Sequence, residues 1–269
     1  MNRVLQYYDR FDEWGRLDRE PIEFEINLRH IIANLPERGG ILDNGAGPGK
    51  YAVALAKRGY DVTVSDFSPR LVEQARSKAE EEGVASVMGG FRVADARDLS
   101  LFGDETFDAC LTMGPMYHLQ SADDRKLALS EMRRVTRSGG LAFVAFMSKL
   151  RHLAVSLADP LVWKPHDEIP ALEAFMRTGV YDHPDEGRFT GVYFADIGSI
   201  VPGMESAGFE CVKLIGSSGA GNLSAEQWRH WERQGEESAA AAMRLMLEAS
   251  ESPYLFGSSS HLLYIGRKK

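Results

Sequence analysis

The sequence predicts an α/β protein: a doubly wound, mostly parallel sheet of seven strands with helices on both faces. Three observations carry this. Short apolar segments alternate with helix-length segments from residue 38 onward. The first apolar segment, Ile41-Leu42-Asp43-Asn44, runs directly into the glycine turn Gly45-Ala46-Gly47-Pro48-Gly49. The central segment Leu141–Phe146 is continuously apolar, as a strand covered on both faces must be.

In chain order, residues 4–35 read as two helices, the first with Tyr7, Tyr8, Phe11 and Trp14 at three-to-four spacing. After the glycine turn, 50–58 reads as a helix and 60–65 as a second strand ending at Asp66. Ser68-Pro69 supplies the N-cap and first residue of a helix to about Glu82. A third strand, Phe91–Ala96, contains Asp95, and a fourth, Thr106–Met113, opens into Gly114-Pro115-Met116-Tyr117-His118-Leu119. A helix over 123–137 and a turn at Ser138-Gly139-Gly140 lead to strand five. Residues 194–207 read as a helix broken at Pro202 and ended by Gly208. Strand six is 209–215. Ser224-x-x-Gln227 is a capping box opening a helix to about Ala249, with Gly235 a weak point inside it, and His261–Gly266 closes the sheet.

A strand feeding a glycine turn at a helix start exposes backbone N–H groups with no Cβ in the way. An acid closing the next strand is placed to accept from ribose hydroxyls. The spacing is Gly45-x-Gly47-x-Gly49, not the G-x-G-x-x-G of dinucleotide sites. With Leu42-Asp43 before it, and Asp66, Asp95 and the fourth strand following in order, the run resembles motif I of class I S-adenosylmethionine (SAM) dependent methyltransferases. The resemblance is specific over residues 38–148 and extends elsewhere by layout.

The resemblance implies strand order 3-2-1-4-5-7-6 with the last strand antiparallel, and SAM as cofactor. It implies a cofactor site of Asp43, Gly45, Ala46, Gly47, Gly49, Asp66, Phe67, Asp95, Ala96 and Met113, with Tyr8 and Arg16 contributed by an N-terminal helix that closes over it. Asp95 would accept from the adenine amine. Asn44 departs from the pattern, since that position is usually apolar. Each residue also has a structural reading: strand-end acids are often only solvated, the aromatic stripe packs a helix, and Cys110 is a small buried hydrophobe.

Residues 149–189 interrupt the alternation with Pro160, Pro165, Pro170 and Pro184, so they cannot form one helix. They follow the end of a central strand and are expected to cap the crevice and shape an acceptor pocket. The expected organisation is N-terminal helices at 1–37, a core at 38–148 and 190–269, and this cap. His152, His166 and His183 lack metal-ligand spacing, and no metal is expected.

A sulfonium methyl needs an in-line nucleophile and excluded water more than it needs a base. His118 is the first candidate base, expected to titrate near neutrality, with Tyr117 orienting the acceptor. His152 and Tyr193 are weaker candidates. Gly114-Pro115-Met116-Tyr117 lacks the leading amide or carboxylate of base-methylating Asn/Asp-Pro-Pro-Tyr motifs, so no base methylation is expected. The net charge of −8 argues against a phosphate-tracking surface; Arg133, Arg134 and Arg137 read as the basic end of a helix. Two cysteines, no signal-peptide pattern and no long apolar run point to the cytoplasm and away from membranes.

The expected function is transfer of a methyl group from SAM to O or N of a small molecule. RNA or protein acceptors, a nicotinamide-dependent oxidoreductase and a non-catalytic nucleoside-binding protein are the alternatives. The acceptor and the oligomeric state are not encoded in any motif.

Overall fold

Three helices, not two, precede the first strand: α1 (Arg3–Arg10), α2 (Glu13–Arg19) and α3 (Pro21–Asn34). The extra break has local causes. The Asp12 carboxylate accepts from the Gly15 amide as an N-cap, and Pro21 occupies the first turn of α3. The structure, a computed structural model, describes residues 3–269, with the side chains of residues 5, 9, 10 and 17 outside the description. Met1 and Asn2, where the expected N-terminal segment begins, also lie outside the described residues.

The core then alternates as β1 (Gly40–Asn44), α4 (Lys50–Ala56), β2 (Asp61–Asp66), α5 (Pro69–Glu81), β3 (Gly90–Val93), β4 (Phe107–Thr112), the single turn α6 (Pro115–His118), α7 (Ala122–Val135) and β5 (Thr136–Ser148). Strand three ends at Val93, three residues earlier than the sequence suggested, because Asp95 folds back in a bridge with Asp98. The Ser138-Gly139-Gly140 turn is a bulge within β5. Phe107 pairs with Thr136 and Ala109 with Leu141, and the intervening residues loop out around Gly139 at φ 74°.

Residues 149–189 hold α8 (Lys149–Ala158), α9 (Ile169–Thr178) and β6 (Val180–Tyr181), which pairs antiparallel with β7 (Val192–Ala195). Phe194 therefore lies in a strand, and the helix expected over 194–207 starts later, as α10 (Ile197–Ser206), behind the Asp196 N-cap. The β-branched and aromatic run Val192-Tyr193-Phe194 suits a half-buried strand better than a first helical turn. The chain closes with β8 (Phe209–Gly216), α11 (Ala225–Glu232), α12 (Glu236–Ser250) and β9 (His261–Lys268). Gly235, at φ 103°, fully separates α11 from α12.

The pairings run β3-β2-β1-β4-β5-β9-β8, with β9 antiparallel to both neighbours. This is the expected seven-stranded order. Met147 pairs with His261 on one edge and Phe194 on the other, so the β6–β7 hairpin continues the edge of β5 that β4 vacates. Alternate strand residues serve opposite layers. Ile41, Val64, Leu111 and Phe143 face α3, α4, α5 and α12, whereas Leu42, Cys110, Val144 and Tyr264 face α7 and α10. A third cluster, including Leu172, Phe175, Tyr181 and Phe194, packs beneath the cap. Among the described residues no helix is long and apolar enough to cross a membrane.

Candidate active site

A cavity of about 210 Å³ opens at the carboxyl ends of β1, β2 and β4. The turn after β1 shapes its floor. Gly45, Gly47 and Gly49 have φ of 69°, 57° and 82°, the left-handed region that L side chains avoid. The reasons for glycine differ among the three. A Cβ on Gly45 would collide with the Pro115 ring, and one on Gly49 would meet the Ala75 methyl at 3.0 Å. A Cβ on Gly47 would find only the Glu13 side chain, at 3.8 Å, so this backbone faces the cavity.

Asp66 holds the turn in place. Its Oδ2 accepts from the Gly47 amide and its Oδ1 from the Ser68 amide, both at 2.8 Å. Burial raises its carboxyl, and these two bonds offset only part of that. Its remaining lone pairs face the cavity it lines. Asp43 behaves differently. It is buried at the end of β1 and is not part of the cavity wall. Neither oxygen has a hydrogen-bond partner in standard geometry, and the Ala52 amide offsets little of the cost. Burial, with Asp66 adding repulsion, pushes it up to about 7. Asn44 is also buried; Ser65 Oγ donates to its Oδ1 at 3.4 Å, whereas its Nδ2 is unpaired.

Of the other expected cofactor residues, Ala46, Phe67, Asp95, Ala96, Met113, Tyr8 and Arg16 line the cavity. Gly49 does not line it but starts α4 as its N-cap. Phe67 is 47 % exposed at the rim. The Asp95 carboxylate is gripped by the Arg97 guanidinium, at 2.6 Å and 3.0 Å, which keeps it below the usual carboxylate range. Arg97 also bonds Asp124, so the acid is oriented before any ligand arrives.

The N-terminal helices roof the cavity. Lys50 donates to the Trp14 carbonyl and to Asp18, Arg70 to the Tyr8 carbonyl, and Arg3 to the His183 carbonyl. Beneath this roof sits a charge cluster the sequence did not flag. Arg16 pairs with Glu13 at 2.8 Å, Glu20 at 3.0 Å and Glu23 at 3.5 Å, and Glu23 also meets His261 Nδ1 at 2.9 Å. Burial opposes the charge on Glu23, but His261 and Arg16 prevail and hold it at about 2. Burial raises Glu13 against the pull of Arg16. The helical spacing of Glu13, Arg16, Glu20 and Glu23 was a usable signal. Nothing local links them to His261 on the last strand.

His118 does not titrate near neutrality as the sequence suggested. Burial lowers it to about 4, and its Nε2 is hydrogen-bonded to the Tyr8 hydroxyl at 2.8 Å. It is a neutral imidazole that fixes Tyr8, and a weak base at physiological pH. Tyr117 is buried beside it, with ring contacts to His118 and His261. Tyr193 faces away from this centre and carries the Arg125 guanidinium over its ring, at 3.5 Å. His152 stacks on Phe194 at 4.1 Å between centroids, and burial drives it down to about 3.

Tyr8, Glu13, Arg16, Glu23, Tyr117 and His261 form a wall between this cavity and a second chamber of about 710 Å³. The chamber is bounded by α1, the cap and the loop after β8, and carries Tyr7, Phe11, Trp163, Phe189 and Phe194.

Residues 41–140 match the family described as a methyltransferase domain. The chain carries a class I SAM-dependent methyltransferase domain. The matched segment of this domain contains the glycine turn, Asp66 and Asp95. Phosphatidylethanolamine N-methyltransferase of Cereibacter sphaeroides is 38% identical over 117 residues, 43% of this chain and 55% of that protein. A ubiquinone biosynthesis O-methyltransferase of Cereibacter sphaeroides is 33% identical over 50% of this chain and 52% of its own length. A tRNA 5-carboxymethoxyuridine methyltransferase of Escherichia coli is 28% identical over 45% of each. The chain thus spans about half the length of the curated relatives it matches. Among solved structures, a SAM-dependent methyltransferase from Methanosarcina mazei shares the fold, with a TM-score of 0.60 at 20% identity over 89% of this chain and 96% of the other. The matched segment holds β1 to β4 and the start of β5, and the likeness to the solved structure extends the fold to the strands beyond it.

Proposed function

We propose that the protein transfers a methyl group from SAM to an oxygen or nitrogen atom of a small-molecule acceptor. The observation that carries this reading is the juxtaposition of the Gly47-faced cavity and the aromatic chamber across one wall. The donor set fits SAM: Gly47 leaves room for close approach, Asp66 offers lone pairs for ribose hydroxyls, and Asp95 is held ready for an amine. SAM would supply an activated methyl group, so the protein's task is positioning and exclusion of water. Tyr8, fixed by His118, and Tyr117 stand at the junction and orient the acceptor. The roof of α1 and α2 keeps water from the junction. The net charge of −8 and the aromatic lining of the chamber favour a small molecule over RNA.

The test is a thermal-shift comparison of SAM, S-adenosylhomocysteine (SAH) and NAD. Ligand at 100 times its dissociation constant stabilises by about 2.7 kcal/mol, a rise of several degrees. A shift with SAM and SAH but not NAD is the expected result; a shift with NAD alone overturns the reading. In calorimetric titration, Asp66→Ala is expected to weaken SAM by about 1–3 kcal/mol, roughly 5–150-fold. The Ala variant also leaves the Gly47 and Ser68 amides without their acceptor, so its melting temperature falls. Unchanged SAM affinity would mean that Asp66 only braces the turn.

A further inference from the structure

Among the described residues, Arg151 is the arginine of the aromatic chamber that no carboxylate pairs. It stands in the first turn of α8, where Ser148 Oγ accepts from its backbone amide at 3.2 Å. Its Nε is buried and has no hydrogen-bond partner, and among the described residues no carboxylate pairs with its guanidinium. The neighbouring arginines differ. Arg16 is shared by three glutamates and Arg19 is paired with Asp12. The acidic side chains of the chamber are already engaged as well: Glu13 and Glu20 by Arg16, and Glu23 by Arg16 and His261.

A guanidinium cannot lose its charge in a protein, so its unpaired, partly desolvated donors call for an anion. The planar fork matches a carboxylate in two-point contact. The aromatic walls from Tyr7, Phe11 and Phe189 favour a flat apolar body attached to that group. We propose that Arg151 selects acceptors carrying a carboxylate on an aromatic body, binding the acid group at the foot of α8. Such an acceptor turns its other end toward the wall of Tyr8 and Tyr117. This inference rests on the methyltransferase reading and names the substrate class for it.

The experiment compares para-hydroxyphenylacetate with para-hydroxyphenylacetamide, and para-hydroxybenzoate with para-hydroxybenzamide, by calorimetric titration into the SAH-saturated protein. The acids are expected to bind at least about tenfold tighter than the amides. Arg151→Gln is expected to erase that preference, and Arg151→Lys to keep part of it. Arg151 lies off the cofactor cavity, so both variants are expected to hold SAH with unchanged affinity. Equal binding of acid and amide by the unchanged protein, or an acid preference surviving in Arg151→Gln, overturns the proposal. SAH affinity of the unchanged protein scores the cofactor reading separately.

Discussion

Gly47→Val is expected to abolish detectable SAM binding in a protein that still folds. The backbone at Gly47 sits at φ 57°, where an L residue costs about 1–2 kcal/mol and a β-branched one more. A Cβ there would point into free space beneath Glu13, so the fold has room for it but a ligand lying on the turn does not. Stability should therefore fall by a few kcal/mol at most, within what a domain tolerates. Gly45→Val is the contrasting variant. Its side chain would strike Pro115, so that loss should appear first as misfolding. Circular dichroism and SAM titration on both variants check this. Normal SAM affinity in Gly47→Val would remove the turn from the cofactor site.

Asp43→Asn is expected to stabilise the ligand-free protein at pH 8 and to leave it unchanged at pH 4. In the unfolded chain Asp43 ionises near 3.8, whereas burial and Asp66 keep its folded value at about 7. Below pH 3.8 the carboxyl is protonated in both states and contributes no pH dependence. Between 3.8 and 7 the folded state retains a proton that the unfolded state has released, so stability declines as pH rises. Above 7 the loss levels off at about 4 kcal/mol, at 1.36 kcal/mol for each tenfold change in proton activity. The amide carries no charge to desolvate and escapes that penalty. Denaturant titrations of the two proteins from pH 4 to 8 measure the gap. A variant equally or less stable than the unchanged protein at pH 8 would show that the carboxylate has a favourable partner.

Asp43 is also one of the three acids that the sequence reading placed at the cofactor. Its position behind the turn was not readable from Leu42-Asp43-x-Gly45, because the same spacing permits an acid facing either into the crevice or beneath it. The same limit applies to Asp95. Its order in the chain was legible, but its pairing with Arg97 depends on the chain folding back after Val93. His118 was found because it follows an apolar strand at the crevice mouth. Its low basicity comes from burial, and the hydroxyl that its Nε2 meets belongs to Tyr8, 110 residues away. The error over 194–207 has a different origin. A four-residue strand with an aromatic core looks the same as a buried helical turn until its partner, the end of β5, is in place.

The sequence by itself determined the alternation of strands and helices, the sheet order implied by motif I, the left-handed glycine turn and the N-caps at Ser68 and Ser224. All but the sheet order, which the family resemblance implied, are matters of local sterics and side-chain period, felt within a few residues of the chain. Only the tertiary structure decided which acids face the cavity, how Arg16, Glu13, Glu23 and His261 neutralise one another, and that among the described residues no carboxylate pairs with the Arg151 guanidinium. Those outcomes turn on burial and on the approach of groups as far apart as Glu23 and His261, 238 positions from each other along the chain. Charge and solvation act through space, and no spacing along the chain records them.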